Sequence, residues 1–198
     1  MTRLAAVVLA GGAARRLGGM AKPALTIGGR PLLVRVLDAL AAADPRIVVG
    51  PAELAALLPA AVRLTQESPA GAGPVAAVCA GVRLLPAGVD HVAVLSADLP
   101  FLTATVVSGL SNGLAGGADV AVLVDGGGRP QWLCAVWRRA SLDRRLAAVG
   151  DPGGVRVRDL VGDATVQELA MAAGTGPPPW LDCDTADDLR RAEEWMRQ

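Results

Sequence analysis

Lys22 is the only lysine in the chain, against 18 arginines. It closes the segment Gly11-Gly12-Ala13-Ala14-Arg15-Arg16-Leu17-Gly18-Gly19-Met20-Ala21-Lys22-Pro23. Glycines let a backbone come close to a ligand and turn its amides toward phosphate oxygens. A lysine ammonium is a compact point charge suited to the same anion. Before Asp38 the chain carries Arg3, Arg15, Arg16, Lys22, Arg30 and Arg35 and no acid. A chain of zero formal net charge has thus gathered a purely basic stretch around its longest early loop. The segment fits neither G-x-G-x-x-G nor G-x-x-x-x-G-K-[ST], so it reads as a phosphate cradle of another kind. The competing reading is one lysine surviving by chance in an arginine-biased composition.

Carboxylates supply the complementary chemistry. Asp98 follows the apolar run His91–Leu95, with Pro100 fixing the turn. A carboxylate at the carboxyl end of a central strand can hold magnesium against a polyphosphate; a turn or helix-capping aspartate is the plainer alternative. Asp182 and Asp184 alternate along an extended segment, so both can point to one face. Thr185 and Asp188 have capping-box spacing, and Asp187 and Asp188 suit a helix N-terminus. Asp184 therefore has two readings, metal ligand and simple cap.

The elements that must position these groups follow from hydrophobic period and turn residues. Ala5–Ala10 is a continuous apolar run stopped by Gly11-Gly12, the pattern of a buried parallel strand. A helix is expected from Pro31 through Leu40, and strands at Ile47–Gly50, Val62–Thr65 and His91–Leu95. Helices are expected near Glu53–Leu58, from Gly73-Pro74 to about Leu85, and around Thr103–Leu114. Val120–Val124 and Trp132–Trp137 flank the turn-rich Asp125–Pro130 and predict a hairpin. Helices near Ser141–Ala148 and Val155–Val161, a strand at Thr165–Leu169, an extended Trp180–Cys183 and a helix over Thr185–Met196 complete the chain. Strands alternating with helices predict a single α/β domain over residues 1–198, a three-layer Rossmann-like sandwich with a mostly parallel sheet and one antiparallel element. In such sheets ligands sit beyond the carboxyl ends of the strands. The 20 residues between Ala10 and Pro31 far exceed an ordinary strand-to-helix loop.

Composition narrows the function. Zero net charge argues against a general nucleic-acid binder, and no apolar stretch is long enough for a membrane helix. The N-terminal apolar run reads as a first strand and not a signal peptide. Three scattered cysteines, Cys79, Cys134 and Cys183, have neither zinc nor disulfide spacing and fit core thiols in a reducing cytoplasm. His91 is the only histidine, so histidine metal sites are improbable. Trp132 and Trp137 read as core. Arg138, Arg139, Arg156 and Arg158 are candidates for an anion site or ordinary solvated arginines.

Several segments together resemble one family: LAGG at Leu9–Gly12, RRLGG at Arg15–Gly19, Lys22-Pro23, GGRPLLVRVLDAL at Gly28–Leu40, Glu67-Ser68 with GPVAAVCAG at Gly73–Gly81, and SADLPFL at Ser96–Leu102. Gln131–Arg139 and Leu181–Leu189 extend the likeness over nearly the whole chain. The chain resembles the molybdenum cofactor guanylyltransferase family, within the glycosyltransferase-A-like nucleotidyltransferases of nucleotide-diphospho-sugar transferase-like fold. The resemblance implies a magnesium-dependent cytoplasmic enzyme that moves GMP from GTP to molybdopterin and releases pyrophosphate. It implies small-molecule substrates, no nucleic acid and no membrane, and transient contact with molybdoenzyme maturation proteins. Carried over by position, Leu9, Ala10, Gly11 and Gly12 contact the nucleotide, with Lys22 and Arg16 as catalytic cations on the phosphates. Glu67 contacts the nucleotide, and Asp98 and Asp184 ligate magnesium. Gly50 stands where the family has a nucleotide-contacting asparagine. The acid usually placed before the lysine is Ala21 here, the two asparagines of the last element are Asp182 and Asp184, and its proline is Ala186. A cytidylyltransferase relative has a similar D-x-D-T ending. A cytidylyl or sugar-phosphate nucleotidyltransferase of the same fold, or a non-catalytic nucleotide-binding protein, are the alternatives.

Overall fold

The computed structural model describes residues 2–11, 22–171 and 176–197. In chain order the strands and α-helices are β1 Leu4–Leu9, β2 Thr26–Ile27, β3 Arg30–Pro31, α1 Leu32–Ala39, β4 Arg46–Val49, β5 Val62–Thr65, α2 Pro74–Val82 and β6 His91–Ser96. There follow α3 Ala104–Gly113, β7 Val120–Val124, β8 Pro130–Arg138, α4 Arg139–Val149, α5 Val157–Val161, β9 Val166–Ala170 and α6 Ala186–Met196. Tight 3₁₀ turns cover Lys22–Ala24 and Ala52–Leu57. The expected elements are all present, but Trp180–Cys183 pairs with no strand. The long early connection holds a feature the sequence did not announce, the small antiparallel hairpin β2–β3.

Seven strands form one sheet in the order β5-β4-β1-β6-β8-β7-β9. β1 runs parallel to β4 and β6, β4 to β5, and β7 to β9. β8 alone opposes its neighbours, β6 on one side and β7 on the other. After β6 the chain crosses over α3 and lays β7 two places away; the hairpin then returns β8 into the gap.

The inner strands β1, β6 and β7 are covered on both faces and are apolar, without alternating polar residues, whereas the edge strands β5 and β9 carry exposed Arg63, Gln167 and Glu168. Side chains of one parity (Ala6, Val8, Leu95, Leu123) pack with Leu33, Val36 and Leu37 of α1 and Val106 and Leu110 of α3. The other parity (Val7, Val49, Val94, Val122, Trp137) packs with Val75 and Val78 of α2, Leu142 of α4 and Leu160 of α5. Gly81 lets α2 lie close against the sheet: a Cβ there would overlap Val7 Cγ1 and stand 3.1 Å from Val49 Cγ2. Among the described residues no helix is long and apolar enough to cross a membrane.

A smaller core ties the ends of the chain together. Ile27, Leu32, Cys183 and Ala192 are buried in one cluster, with Leu25, Phe101 and Leu189 packed on it. The Gly28 amide donates to Glu193 of α6 at 2.9 Å, and Arg35 of α1 donates to the Ile27 carbonyl at 2.6 Å. The β2–β3 hairpin, α6 and the loop after β6 are thereby held as a unit beside the carboxyl edge of the sheet.

Candidate active site

Backbone register brings the candidate residues to that edge. The Ala10 amide donates to Val49, the Gly50 amide to Thr65 and the Ala97 amide to Leu9, at 2.8, 2.9 and 3.0 Å. These bonds continue the parallel ladder past the last strand residues. Gly11, Gly50, Glu67 and Asp98 consequently leave β1, β4, β5 and β6 side by side. Strand order sets their sequence along the edge: Glu67, then Gly50, Gly11 and Asp98, then the beginning of β8.

Lys22 lies in its 3₁₀ turn, with Pro23 buried behind it. Its ammonium donates to Asp98 Oδ2 and to Asp184 Oδ1, although 162 positions separate Lys22 from Asp184. Lys22 and Asp98 are mostly enclosed, at 17% and 15% side-chain exposure, while Asp184 is open at 58%. Burial alone would lower the Lys22 pKa, but the Asp98 charge and the bonds to both carboxylates outweigh it, so the pKa rises above that of a free lysine and the group stays an ammonium. Asp182 is displaced upward, first by burial and then by the neighbouring Asp184 and Asp98 charges. Asp184 precedes a complete capping box, in which Thr185 accepts from the Asp188 amide and Asp188 accepts from the Thr185 amide. Capping is thus the work of Thr185 and Asp188, which leaves the Asp184 side chain to Lys22.

Two buried oxygens at this edge have no hydrogen-bond partner among the described residues: Asp98 Oδ1 and Glu67 Oε2. Leaving a buried acceptor unpaired costs on the order of 1–3 kcal/mol, so such atoms are expected where a ligand completes them. Glu67 is 9% exposed; its other oxygen accepts from the Gly71 amide at 2.8 Å and faces Gly11, whose added Cβ would stand 3.9 Å away. Gly50 fills a confined place, since a Cβ there would meet the Ala10 carbonyl oxygen and Leu54 Cδ1, each at 3.0 Å. Leu9 is core, and its carbonyl is used by Ala97. Gly12 and Arg16, and Ala21 with them, lie outside the described residues.

Beyond Asp98 a cavity of about 510 Å³ opens, lined by Asp98, Gln131, Trp132, Arg156, Arg158, Trp180, Asp182 and Asp184. The pairing of β7 with β8 slips between Val122 and Leu123, so that Trp132–Cys134 have no partners on β7; such irregularities commonly re-aim side chains at sites. Trp137 is core as expected, at 1% exposure; Trp132 is half-buried, packed against the core on the α2 side as expected, and also lines the cavity. Trp180 was not anticipated, although its position two residues before Asp182 was the available signal.

Among the arginine candidates the structure separates two pairs. Arg156 and Arg158 line the cavity. Arg138 and Arg139 are at the far edge of the sheet, because β8 runs against its neighbours and its carboxyl end pairs with His91 at the start of β6. Arg138 there donates to the Ala118 and Leu114 carbonyls, and Arg139 to Asp143. His91 shares that edge, contacting Ser111 Oγ at 2.8 Å, with its pKa pushed down by burial and by Arg138. Cys134 and Cys183 are free thiols in the core, each with its pKa pushed up to about 12 by burial.

Carboxylates and a lysine gathered beyond the carboxyl ends of a mostly parallel, helix-covered sheet define an α/β protein of the nucleotide-diphospho-sugar transferase type. Solved structures share the fold: a nucleotidyl transferase from Methanothermobacter superposes with TM-score 0.76 at 20% identity, covering 100% of this chain and 99% of that one. The molybdopterin-guanine dinucleotide biosynthesis protein A of Archaeoglobus fulgidus does so with TM-score 0.70 at 21% identity, covering 97% and 98%. The chain belongs to the MobA-like NTP transferase family, whose model matches residues 6–168. A curated relative, a molybdenum cofactor guanylyltransferase of Cereibacter sphaeroides, is 35% identical over 99% of this chain and 98% of its own length.

Proposed function

We propose that this chain transfers GMP from GTP to the phosphate of molybdopterin, with release of pyrophosphate. The observation that carries the reading is the layout of the sheet's carboxyl edge: a buried, half-satisfied carboxylate at Glu67, then the Lys22–Asp98–Asp184 cluster, then the cavity that Trp132 and Trp180 help to line. A base site, a phosphate site and an acceptor site follow one another in the order the reaction needs.

Glu67 favours guanine by its chemistry. Only guanine among the common bases presents a ring N–H and an amino group side by side on its pairing edge, and a carboxylate is a two-oxygen acceptor for such a pair. With Gly50 crowded by Ala10 and Leu54, selection by a side chain at that position is absent and the base is read by Glu67 and backbone. Lys22 neutralises phosphate charge during in-line attack on the α-phosphorus. A phosphate monoester has a second pKa near ~6 and arrives mostly as a dianion, so no general base is required. That suits a site from which the only histidine is remote.

Asp98 and Asp184 are the residues that would hold magnesium. Asp98 Oδ1 is an unpartnered buried oxygen, and carboxylate oxygen suits a hard cation. Among the described residues no three ligating side chains converge, which fits an ion that takes one or two protein carboxylates and completes its shell with phosphates and water. Bound there, the ion would offset charge on the transferring phosphoryl group. Trp132 and Trp180 offer flat faces to a pterin, and Arg156 and Arg158 offer its phosphate a counter-charge. The free thiols suit a cytoplasmic enzyme, and the product fits hand-over through transient contact with molybdoenzyme maturation proteins. The Asp182-x-Asp184-Thr185 ending makes CTP the competitor to exclude.

The test is pyrophosphate release from GTP, CTP, ATP and UTP with magnesium and molybdopterin. Turnover confined to GTP and dependent on molybdopterin is expected. Turnover with CTP in preference, or tight GTP binding without any pyrophosphate, would overturn the reading.

A further inference from the structure

The Lys22 ammonium is asked to do two things that one cation does not do at once. It bridges Asp98 and Asp184, and in the proposed reaction it meets the phosphates. Asp98 and Asp184 are likewise the carboxylates that would take a divalent ion. Among the described residues no other cation pairs with either of them. Asp182 is near enough to feel both charges, and the two carboxylates that hold the single ammonium already outweigh it in charge. A +1 and a +2 charge between the same two carboxylates repel each other, and enclosure of Lys22 and Asp98 from water weakens the screening that would soften that repulsion. The ammonium is free to leave while its backbone stays. The turn is closed by the Leu25 amide on the Lys22 carbonyl at 3.1 Å, Pro23 is buried, and the four-carbon stem is flexible.

We propose that Lys22 is the resident cation of the Asp98–Asp184 pair and is exchanged for the divalent ion when nucleotide arrives. Phosphates draw the ammonium off the carboxylates, and the ion enters with the nucleotide and not before it. The inference rests on the reading of this edge as a nucleotide site. It goes beyond that reading in fixing the order of binding: nucleotide first or together with its ion, free ion never first. It also gives Lys22 a role in the empty protein, keeping the charged pocket assembled with Asp184, just ahead of α6, drawn toward Asp98.

The probe is Mn²⁺ alone, titrated into nucleotide-free protein and followed by the paramagnetic resonance signal of the free ion. Wild type is expected to bind it weakly and Lys22→Met at least tenfold more tightly, with Lys22→Arg, which keeps the charge, as weak as wild type. Adding Asp98→Asn to Lys22→Met should abolish the gain. Calorimetry with guanosine 5′-(α,β-methylene)triphosphate and no divalent ion should register binding to wild type. Equal or tighter Mn²⁺ binding by wild type than by Lys22→Met overturns the exchange, as does a gain that survives Asp98→Asn. Failure of the analogue to bind at any Mn²⁺ concentration instead removes the nucleotide reading beneath it. Circular dichroism of each variant separates these outcomes from loss of fold.

Discussion

Both edges of the sheet carry charged and polar side chains, and they differ in how those groups are partnered. At the amino edge, where β6, β7 and β9 begin, polar groups are consumed by the fold. Asp119 accepts from Ser141, from the Thr165 amide and hydroxyl, and from Arg144; Arg138 clamps two carbonyls, and His91 meets Ser111. Arg139 Nη1 is the one buried side-chain atom there without a partner. At the carboxyl edge, Asp98 and Glu67 each bury an oxygen that nothing among the described residues satisfies. Charge alone does not mark a site, since it is abundant at both edges. Two unfinished carboxylates on one edge are the better mark, with Asp98 bonded to Lys22 and lining a cavity, because a buried acceptor left open is expected where a ligand completes it.

Substitutions can break the comparison from either side. The largest effect is expected at the carboxyl edge: Lys22→Ala or Asp98→Ala should lower pyrophosphate release by about a hundred- to thousandfold, the ~2.7–4 kcal/mol typical of one charge-stabilising contact, with the circular dichroism spectrum intact. Near-normal turnover in either variant would remove that residue from the mechanism. Glu67→Gln should cost GTP binding about tenfold or more, in the range of a ~1.5–3 kcal/mol hydrogen bond to a charged group, while binding of CTP is little changed. A uniform loss across nucleotides would mean that Glu67 shapes the loop and does not read the base.

Between the edges, where α2 packs on the sheet, Gly81→Ala should destabilise without touching selectivity, because its methyl group overlaps Val7. An overpacking cost of about 1–3 kcal/mol lowers Tm by about 2–4 °C per kcal/mol at this chain length, measured by calorimetry. The smallest effect is at the amino edge. Hydrogen bonds from Ser141 and Thr165 hold the Asp119 pKa well below the usual carboxylate range. A depressed folded pKa stabilises above the unfolded value near ~3.9 and loses that contribution as pH falls below it. The stability gap between wild type and Asp119→Asn should therefore be full at neutral pH and shrink below about pH 4. A gap that is constant with pH would assign Asp119 a purely steric role.

Much of this arrangement was legible in the chain. The apolar runs and their glycine and proline stops delimit the strands because a sheet covered on both faces admits little else. Asp98 could be placed at a strand end for the same reason. Lys22 stood out by its uniqueness and its acid-free surroundings. Long-range pairing was not legible. Nothing local says that β8 slips between β6 and β7, and that reversal is what carries Arg138 and Arg139 to the far edge while leaving Trp132 beside Asp98. Nothing local brings Asp184 to Lys22 either. That contact depends on the small core of Ile27, Leu32, Cys183 and Ala192 joining the two ends of the chain. The unsatisfied oxygen of Glu67 is a property of burial, which no spacing encodes.

The central claim is that Glu67, Lys22 and Asp98 together receive a guanine nucleotide. Its most direct test is a thermal-shift comparison of GTP, CTP, ATP and UTP with magnesium, on wild type and on Glu67→Gln. GTP at a hundred times its dissociation constant should stabilise wild type by about 2.7 kcal/mol, the other nucleotides far less, and Glu67→Gln should lose that preference. Equal stabilisation by all four, or a preference untouched by Glu67→Gln, would contradict the account.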